Sequence, residues 1–341
     1  MRFVARRHQG VTGSGIAGLL LTVCLTGFLA SNAVAGDVSD LLKKMTTASE
    51  SLNYHGIFVL RKSDSLTTMR VEHGADSRGI WESLESLNGE KRQVIRLNEE
   101  VTSIYPNRKL LTVSYNKDKA SLHPTLPENL DKLEAYYKIS RLEDERIADH
   151  EAAVLDVMPN DTYRYGYRYW LDTDTGVLLK CDLLNENGAV VEQMMFTMLE
   201  YLPQAPKSAF NTVDKKDYQT RDYKIRRLDA ERAVVENASW QVTRLPDGFM
   251  LAQSSERKSQ AAEQLHLIYS DGLASVSVFI ERGGKSHHRL DGASSMGALN
   301  AYGARSGEYF VTVMGEVPAS TVMQIAQSIQ PVKNNLSKAN D

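Results

Sequence analysis

Between residues 37 and 52, Val38, Leu41, Leu42, Met45, Ala48 and Leu52 recur at helical spacing. The pattern predicts one amphipathic helix, with Asp37 or Ser39 as N-cap, because a short polar side chain accepts hydrogen bonds from the first free backbone N–H groups. From Tyr54 the period shortens to that of strands. Runs rich in β-branched and aromatic residues cover 54–61, 67–73, 80–87, 93–97, 101–105 and 110–115, separated by turn pairs such as Asn88-Gly89 and Pro106-Asn107. This predicts an antiparallel meander. Prolines and short helical stretches interrupt it between His123 and Tyr137, and strand character resumes at 152–158 and 163–171. Two loops that end in glycine, at 172–176 and 185–188, predict hairpins into the strands 177–184 and 189–201, since glycine takes positive φ without steric cost. One helix and a long meander imply a strongly curved sheet or partial barrel with helices at one face.

The pattern breaks at Leu202. Pro203 and Pro206 lead into a charged stretch that holds Asp214-Lys215-Lys216-Asp217 and Arg226-Arg227, with few apolar residues. Residues 203–236 are expected to link two domains, with Tyr218, Tyr223 and Ile225 able to pin the linker to a surface. Strand-like runs then follow at 240–245, 249–253, 264–270, 274–281 and 308–314, with turns at Pro246-Asp247-Gly248 and Asp271-Gly272 and a final helix over 319–329. The expectation is a larger α+β unit over 36–202, a smaller α+β domain over 237–331, and a polar, disordered tail over 332–341.

The chain begins with Arg2, Arg6 and Arg7, an apolar run over 16–30, and the small-residue site Ala33-Val34-Ala35. That order predicts a secretory signal peptide over 1–35, cleaved after Ala35. The apolar run is shorter than the roughly 18 to 20 residues of a spanning helix. Cys24 lies in the middle of the run, without the small residues that precede a lipid-modified cysteine, so its loss leaves Cys181 alone and no internal disulfide. A formal charge of −3 with both signs interspersed offers no field for nucleic acid, which is excluded as a partner.

Catalytic patterns are missing or misplaced. The string Gly13-Ser14-Gly15-Ile16-Ala17-Gly18 sits inside the signal and follows no strand, and the stretch from Gly292 to Gly297 has one residue too many for a nucleophile elbow. His55, His73, His123, His150 and His266 are scattered, and the adjacent His287 and His288 would diverge on a strand, whereas zinc ligands converge. Cys181 has no CxxC partner. No catalytic residue, metal or cofactor is expected; the pattern is that of a binding protein.

Period-two reading of residues 163–170 puts Tyr163, Tyr165, Tyr167 and Tyr169 on one face and Arg164, Arg168 and Trp170 on the other. The tyrosine face either packs as ordinary core or borders a cavity, with the arginines near an acidic head group or peptide. Met194, Met195 and Met198 leave the same choice. Several strands are apolar on both faces: Ile57 to Leu60 are consecutive, Trp81 alternates against Ile80 and Leu84, and Leu110, Leu111 and Val113 follow. In a curved sheet this suggests helices over one face and something oily against the other. The candidate lipid-binding residues are Phe58, Leu60, Trp81, Leu111, Val113 and Trp170.

Specific segments then narrow the reading. Residues 167–193, which contain Arg168-Tyr169-Trp170-Leu171-Asp172 and Thr175-Gly176 before Leu178-Leu179, are similar in order and content to the periplasmic MucB/RseB regulators of the envelope-stress sigma factor. So are Ser270-Asp271-Gly272-Leu273, Ser277-Val278-Phe279-Ile280-Glu281 and residues 311–318, so that the resemblance spans nearly all of the chain after the signal. It implies an N-terminal unclosed half-barrel like the lipoprotein carriers LolA and LppX, a smaller C-terminal domain, and a periplasmic location. It also implies binding to the periplasmic part of a MucA- or RseA-like anti-sigma factor, shielding of that protein from the first stress protease, and release by lipid or lipopolysaccharide. On this reading Asp271, Phe279, Glu281 and Arg282, with Arg226 and Arg227 from the linker, are the candidate partner-binding residues. A homodimer is compatible with it. The alternative is a soluble periplasmic lipid or lipoprotein carrier that uses the half-barrel alone.

Overall fold

The computed structural model describes residues 30–115, 133–208, 216–223, 240–258, 263–282 and 290–332. Helix α1 (Ala30–Ser51) starts earlier than the periodicity predicts and buries Val38, Leu41, Leu42, Met45 and Ala48 on one stripe. After it come strands β1 (Tyr54–Lys62), β2 (Ser65–Asp76), β3 (Gly79–Ser86), β4 (Gln93–Leu97), β5 (Glu100–Tyr105) and β6 (Leu110–Tyr115). The expected helical stretches before Tyr137 lie mostly outside the described residues. Strands β7 (Tyr137–Arg141), β8 (Glu145–Ile147), β9 (His150–Pro159), β10 (Gly166–Asp172), β11 (Leu178–Leu184) and β12 (Val190–Tyr201) complete the meander. Gly176 and Gly188 close the two expected hairpins at φ values of 80° and 74°.

Strand β12 returns to pair with β1, which joins both halves of the meander into one sheet ordered β13-β6-β5-β4-β3-β2-β1-β12-β11-β10-β9-β7, with β8 on β9. Among the described residues the first and last strands of this order do not pair, and the sheet is an unclosed half-barrel. Register shifts at Ile57/Phe58, Trp170/Leu171 and Leu183/Leu184 add local bends, because a bulge increases strand twist. The edge strand β13 (Gln219–Tyr223) comes from the stretch read as linker and pairs with β6 in parallel. Tyr218, just before it, packs on Ile104, Leu111 and Val113.

The second domain is built on a sheet ordered β15-β16-β17-β20-β19-β18, from β15 (Met250–Lys258), β16 (Glu263–Ser270), β17 (Ser275–Arg282), β18 (Gly292–Met296), β19 (Leu299–Ser306) and β20 (Tyr309–Gly315). Helix α2 (Ala319–Gln327) covers one face, where Val276, Val278, Ile280, Val311 and Val313 meet Val322 and Ile325. Short strands β14 (Trp240–Val242) and β21 (Ile329–Pro331) pair beside it. The hairpin β18–β19 escapes the sequence reading: its strands are rich in Gly, Ala and Ser, which carry little β signal.

The fold class is therefore as expected, with one physical correction. Residues 163–165 are not strand. The backbone N–H of Tyr163 bonds to the Asp161 carboxylate at 2.9 Å, an Asx turn that breaks the alternation before β10 begins at Gly166.

Candidate functional site

Cross-strand pairing decides which side chains share the concave face. Phe58 stands opposite Met69 and Phe196, and Leu60 stands opposite Thr67 and Met194. Leu84 faces Val94 across β3 and β4, while Tyr167 faces Leu183 across β10 and β11. All of these but Phe196 line an apolar trough of about 660 Å3, with Cys181 in its wall. Its mouth is polar: Lys62, Glu90, Arg92, Glu192, Gln193 and Glu316 ring it. Burial pushes the Cys181 thiol well above its usual range, helped by the neighbouring Asp182 charge, so the wall carries a neutral, unreactive sulfur.

Of the candidate lipid residues, Phe58 and Leu60 line this trough. Trp81, Leu111, Val113 and Trp170 do not. Val94 pairs with Ser103, and Ser103 with Thr112, so Thr112 shares the concave side and Leu111 and Val113 point to the other. Trp81 lies an odd number of residues from Leu84, and Trp170 from Tyr167, which places both on the convex side as well. There the Trp170 Nε1 donates to Glu145 at 3.0 Å, the Lys180 ammonium sits 3.7 Å from the Trp170 ring centroid, and Arg168 forks onto Asp156 at 2.5 and 3.0 Å. The sequence reading missed Met69, Leu84, Val94 and Met194 as trough residues. Counting in twos from Phe58 through the pairs would have found them.

The candidate partner residues divide. Asp271 is not on a free surface: its side chain is fully buried, accepts from Arg164 Nη1 at 2.8 Å and Tyr137 OH at 2.9 Å, and also takes the backbone N–H groups of Leu273 and Ala274. Burial and the adjacent Asp271 charge hold the Tyr137 phenol far above its usual range, so it acts as a donor. Phe279 and Glu281 lie on the sheet face away from α2, where Phe279 stacks on the His266 ring at 4.1 Å and Glu281 accepts from Gln264 at 2.6 Å. Arg282 is exposed and pairs with Glu308 at 3.2 Å. Arg226 and Arg227 lie outside the described residues.

Arg164 is the residue whose role sequence reasoning placed least well. It sits in the 160–165 loop, and its guanidinium crosses into the second domain. There it donates to Asp247 O at 2.6 Å and lies 5.0 Å from the Phe249 ring centroid, with Tyr136 behind it at 5.2 Å. Its neighbours follow. Thr321 donates to the Tyr163 carbonyl at 2.9 Å, and Asn300 donates to the Tyr165 hydroxyl at 2.9 Å and to Val317 O at 2.8 Å. Tyr165, Leu183 and Ala298 form a small apolar cluster with Tyr167 against it, so a wall of the trough is also part of the domain contact.

Comparison with known proteins gives matches to both domains. The family model for the MucB/RseB N-terminal domain matches residues 37–214, and that for the MucB/RseB C-terminal domain matches residues 234–330. The sigma factor AlgU regulatory protein MucB of Pseudomonas aeruginosa is 31% identical over 308 residues, covering 87% of this chain and 92% of the relative. The sigma-E factor regulatory protein RseB of Escherichia coli is 28% identical over 314 residues, covering 90% and 95%. A solved complex of Pseudomonas aeruginosa MucA and MucB superposes with a TM-score of 0.67 at 28% identity, covering 86% of this chain and 99% of that one. Crystalline MucB by itself gives 0.58 at the same identity.

Proposed function

The chain belongs to the MucB/RseB family, and from that premise we propose that it binds the periplasmic segment of a MucA- or RseA-like anti-sigma factor and so represses an envelope-stress sigma factor. One observation carries the reading: both domains, in the same order, superpose on MucB as it stands in its complex with MucA, over 86% of the chain. The bound chain protects its partner from regulated proteolysis. Export under the signal over 1–35, with cleavage after Ala35, brings it to the compartment where that segment is exposed.

The partner-binding role falls on Phe279, Glu281 and Arg282, with Arg226 and Arg227 contributing charge; the buried Asp271 belongs instead to the contact with Arg164 of the first domain. The trough supports lipid sensing by the first domain. Its volume of about 660 Å3 is that of a ligand site, and each methylene buried there contributes about 0.8 kcal/mol. Phe58 and Leu60, with Met69, Leu84, Tyr167 and Met194, are the residues that would contact an acyl chain. Binding, and not catalysis, is the role proposed for the chain.

A protease-protection assay tests the function directly. The anti-sigma segment is incubated with the periplasmic stress protease with and without the purified chain. Slower cleavage in its presence is expected; an unchanged cleavage rate contradicts the proposal.

A further inference from the structure

Lys62, Glu192 and Glu316 occupy an unusual place, because all three line the apolar trough and also a second crevice, where Ser63 and Asp64 of the first domain face Met296, Gly297 and Leu299 of the second. The Lys62 ammonium lies 2.6 Å from Glu192, on its own sheet, and 3.5 Å from Glu316, on the other domain. Half of the Lys62 side chain and half of Glu316 meet solvent, at 49% and 47%. The cross-domain bridge is therefore weak. The Arg164–Asp271 contact, with no solvent on either side chain, is of the opposite kind.

We propose that Lys62 couples the trough to the domain interface: an anionic head group on a molecule whose chain fills the trough takes Lys62 from Glu316 and loosens the domain contact around it. This rests on the reading of the trough as an amphiphile site. The chain holds the head group beside Lys62 at a high effective concentration, so a contact too weak to matter for a free anion becomes competitive. Two routes then reach the second domain. One is the loss of Glu316 as a partner, just ahead of Val317 and Pro318, which lead into α2 at Ala319. The other is displacement of Tyr167 and Leu183, which pack with Tyr165 against Ala298. Arg164 and Asp271 remain joined and serve as the pivot.

Spin labels on cysteines placed at the exposed positions Asn187 and Gln327, one in each domain, read the domain separation, while displacement of a fluorescent acyl probe reads trough occupancy. Dodecyl phosphate is expected to displace the probe and shift the label distance. Dodecyl maltoside, with the same chain and no charge, is expected to displace the probe without the shift, and inorganic phosphate to do neither. Glu316→Gln, a conservative change at an exposed side chain, is expected to move the resting label distance part of the way toward the shifted one and to bind dodecyl phosphate up to about fivefold more tightly. Glu316→Lys, which sets like charges together, is expected to give the shifted distance without ligand. Probe displacement by dodecyl phosphate with an unmoved distance overturns the coupling and leaves the trough reading standing. An equal shift with dodecyl maltoside also overturns it. Failure of both alkyl compounds to displace the probe overturns the trough reading and the coupling with it.

Discussion

The Arg164 guanidinium and the Asp271 carboxylate meet at 2.8 Å with neither side chain touching solvent, although one residue belongs to the half-barrel and the other to the second domain. A buried ion pair is weak evidence for stability as such, but it fixes geometry, because removing one partner strands the other charge in a low-dielectric site. Contacts to Asp247 and to the Tyr137 and Phe249 rings hold Arg164 in place around the pair. The relative placement of the trough and the second domain therefore depends on this pair.

Asp271→Asn keeps an acceptor for the backbone N–H groups of Leu273 and Ala274 but takes away the buried countercharge of Arg164, which keeps only the partly exposed Asp161 carboxylate at 3.1 Å. The expected cost is about 3 kcal/mol, the low end for breaking a buried pair, since Asp161 still faces the guanidinium. In denaturant unfolding followed by fluorescence, the wild type is expected to unfold in one transition and the variant in two, since the domains lose their main tie.

Leu60→Asn and Met194→Asn place an amide in the trough wall. Each is expected to weaken binding of a fluorescent acyl probe by about tenfold, the equivalent of losing one to two buried methylenes. Val113→Ser and Trp170→Phe, on the convex side, are expected to leave the affinity within about twofold. Equal losses from both pairs would contradict the assignment of faces.

How much of this could be seen in the sequence depends on whether local chemistry or long-range pairing decides the feature. The helix stripe from Val38 to Ala48 and the glycine-closed hairpins at Gly176 and Gly188 are local, and they appear where the pattern puts them. Which face of a doubly apolar strand looks inward is not local. Leu111 and Val113 read like trough residues because Tyr218, more than a hundred positions later, covers them from outside. Arg164 reads as a strand residue because nothing in its neighbourhood announces Asp271, and the Asx turn at Asp161 only makes sense once that pairing is known. The resemblance to MucB/RseB regulators supplied what periodicity could not, a role to propose for the second domain.

His266 gives the second domain a pH dependence. Burial lowers its pKa in the folded state, and its ring stacks on Phe279 with Nε2 3.2 Å from Ser277. The unfolded chain takes up the proton first, near pH 6.5, so this contribution is intact above about pH 6.5 and is lost as pH falls through the lower folded-state value. The difference in melting temperature between pH 7.5 and pH 5.5 is expected to be smaller in His266→Gln than in the wild type.

Gly176 holds φ at 80°, and a Cβ there would lie 2.5 Å from the Lys44 backbone of α1. Gly188 has a similar φ of 74° and open space around it. Gly188→Ala is expected to cost about 1 kcal/mol from backbone strain alone. Gly176→Ala is expected to cost more, toward about 3 kcal/mol, since α1 must also move off the sheet. Urea midpoints of the two variants give the comparison, and equal midpoints would show that α1 does not pack on the β10–β11 turn.

The central claim is that this chain holds an anti-sigma factor's periplasmic segment. Isothermal titration of the purified chain with the periplasmic segment of the MucA- or RseA-like protein from the same organism tests it most directly. Saturable binding is predicted, weakened by Phe279→Ala and Arg282→Glu and unaffected by Trp170→Phe. The absence of binding by a chain that unfolds cooperatively would contradict the account.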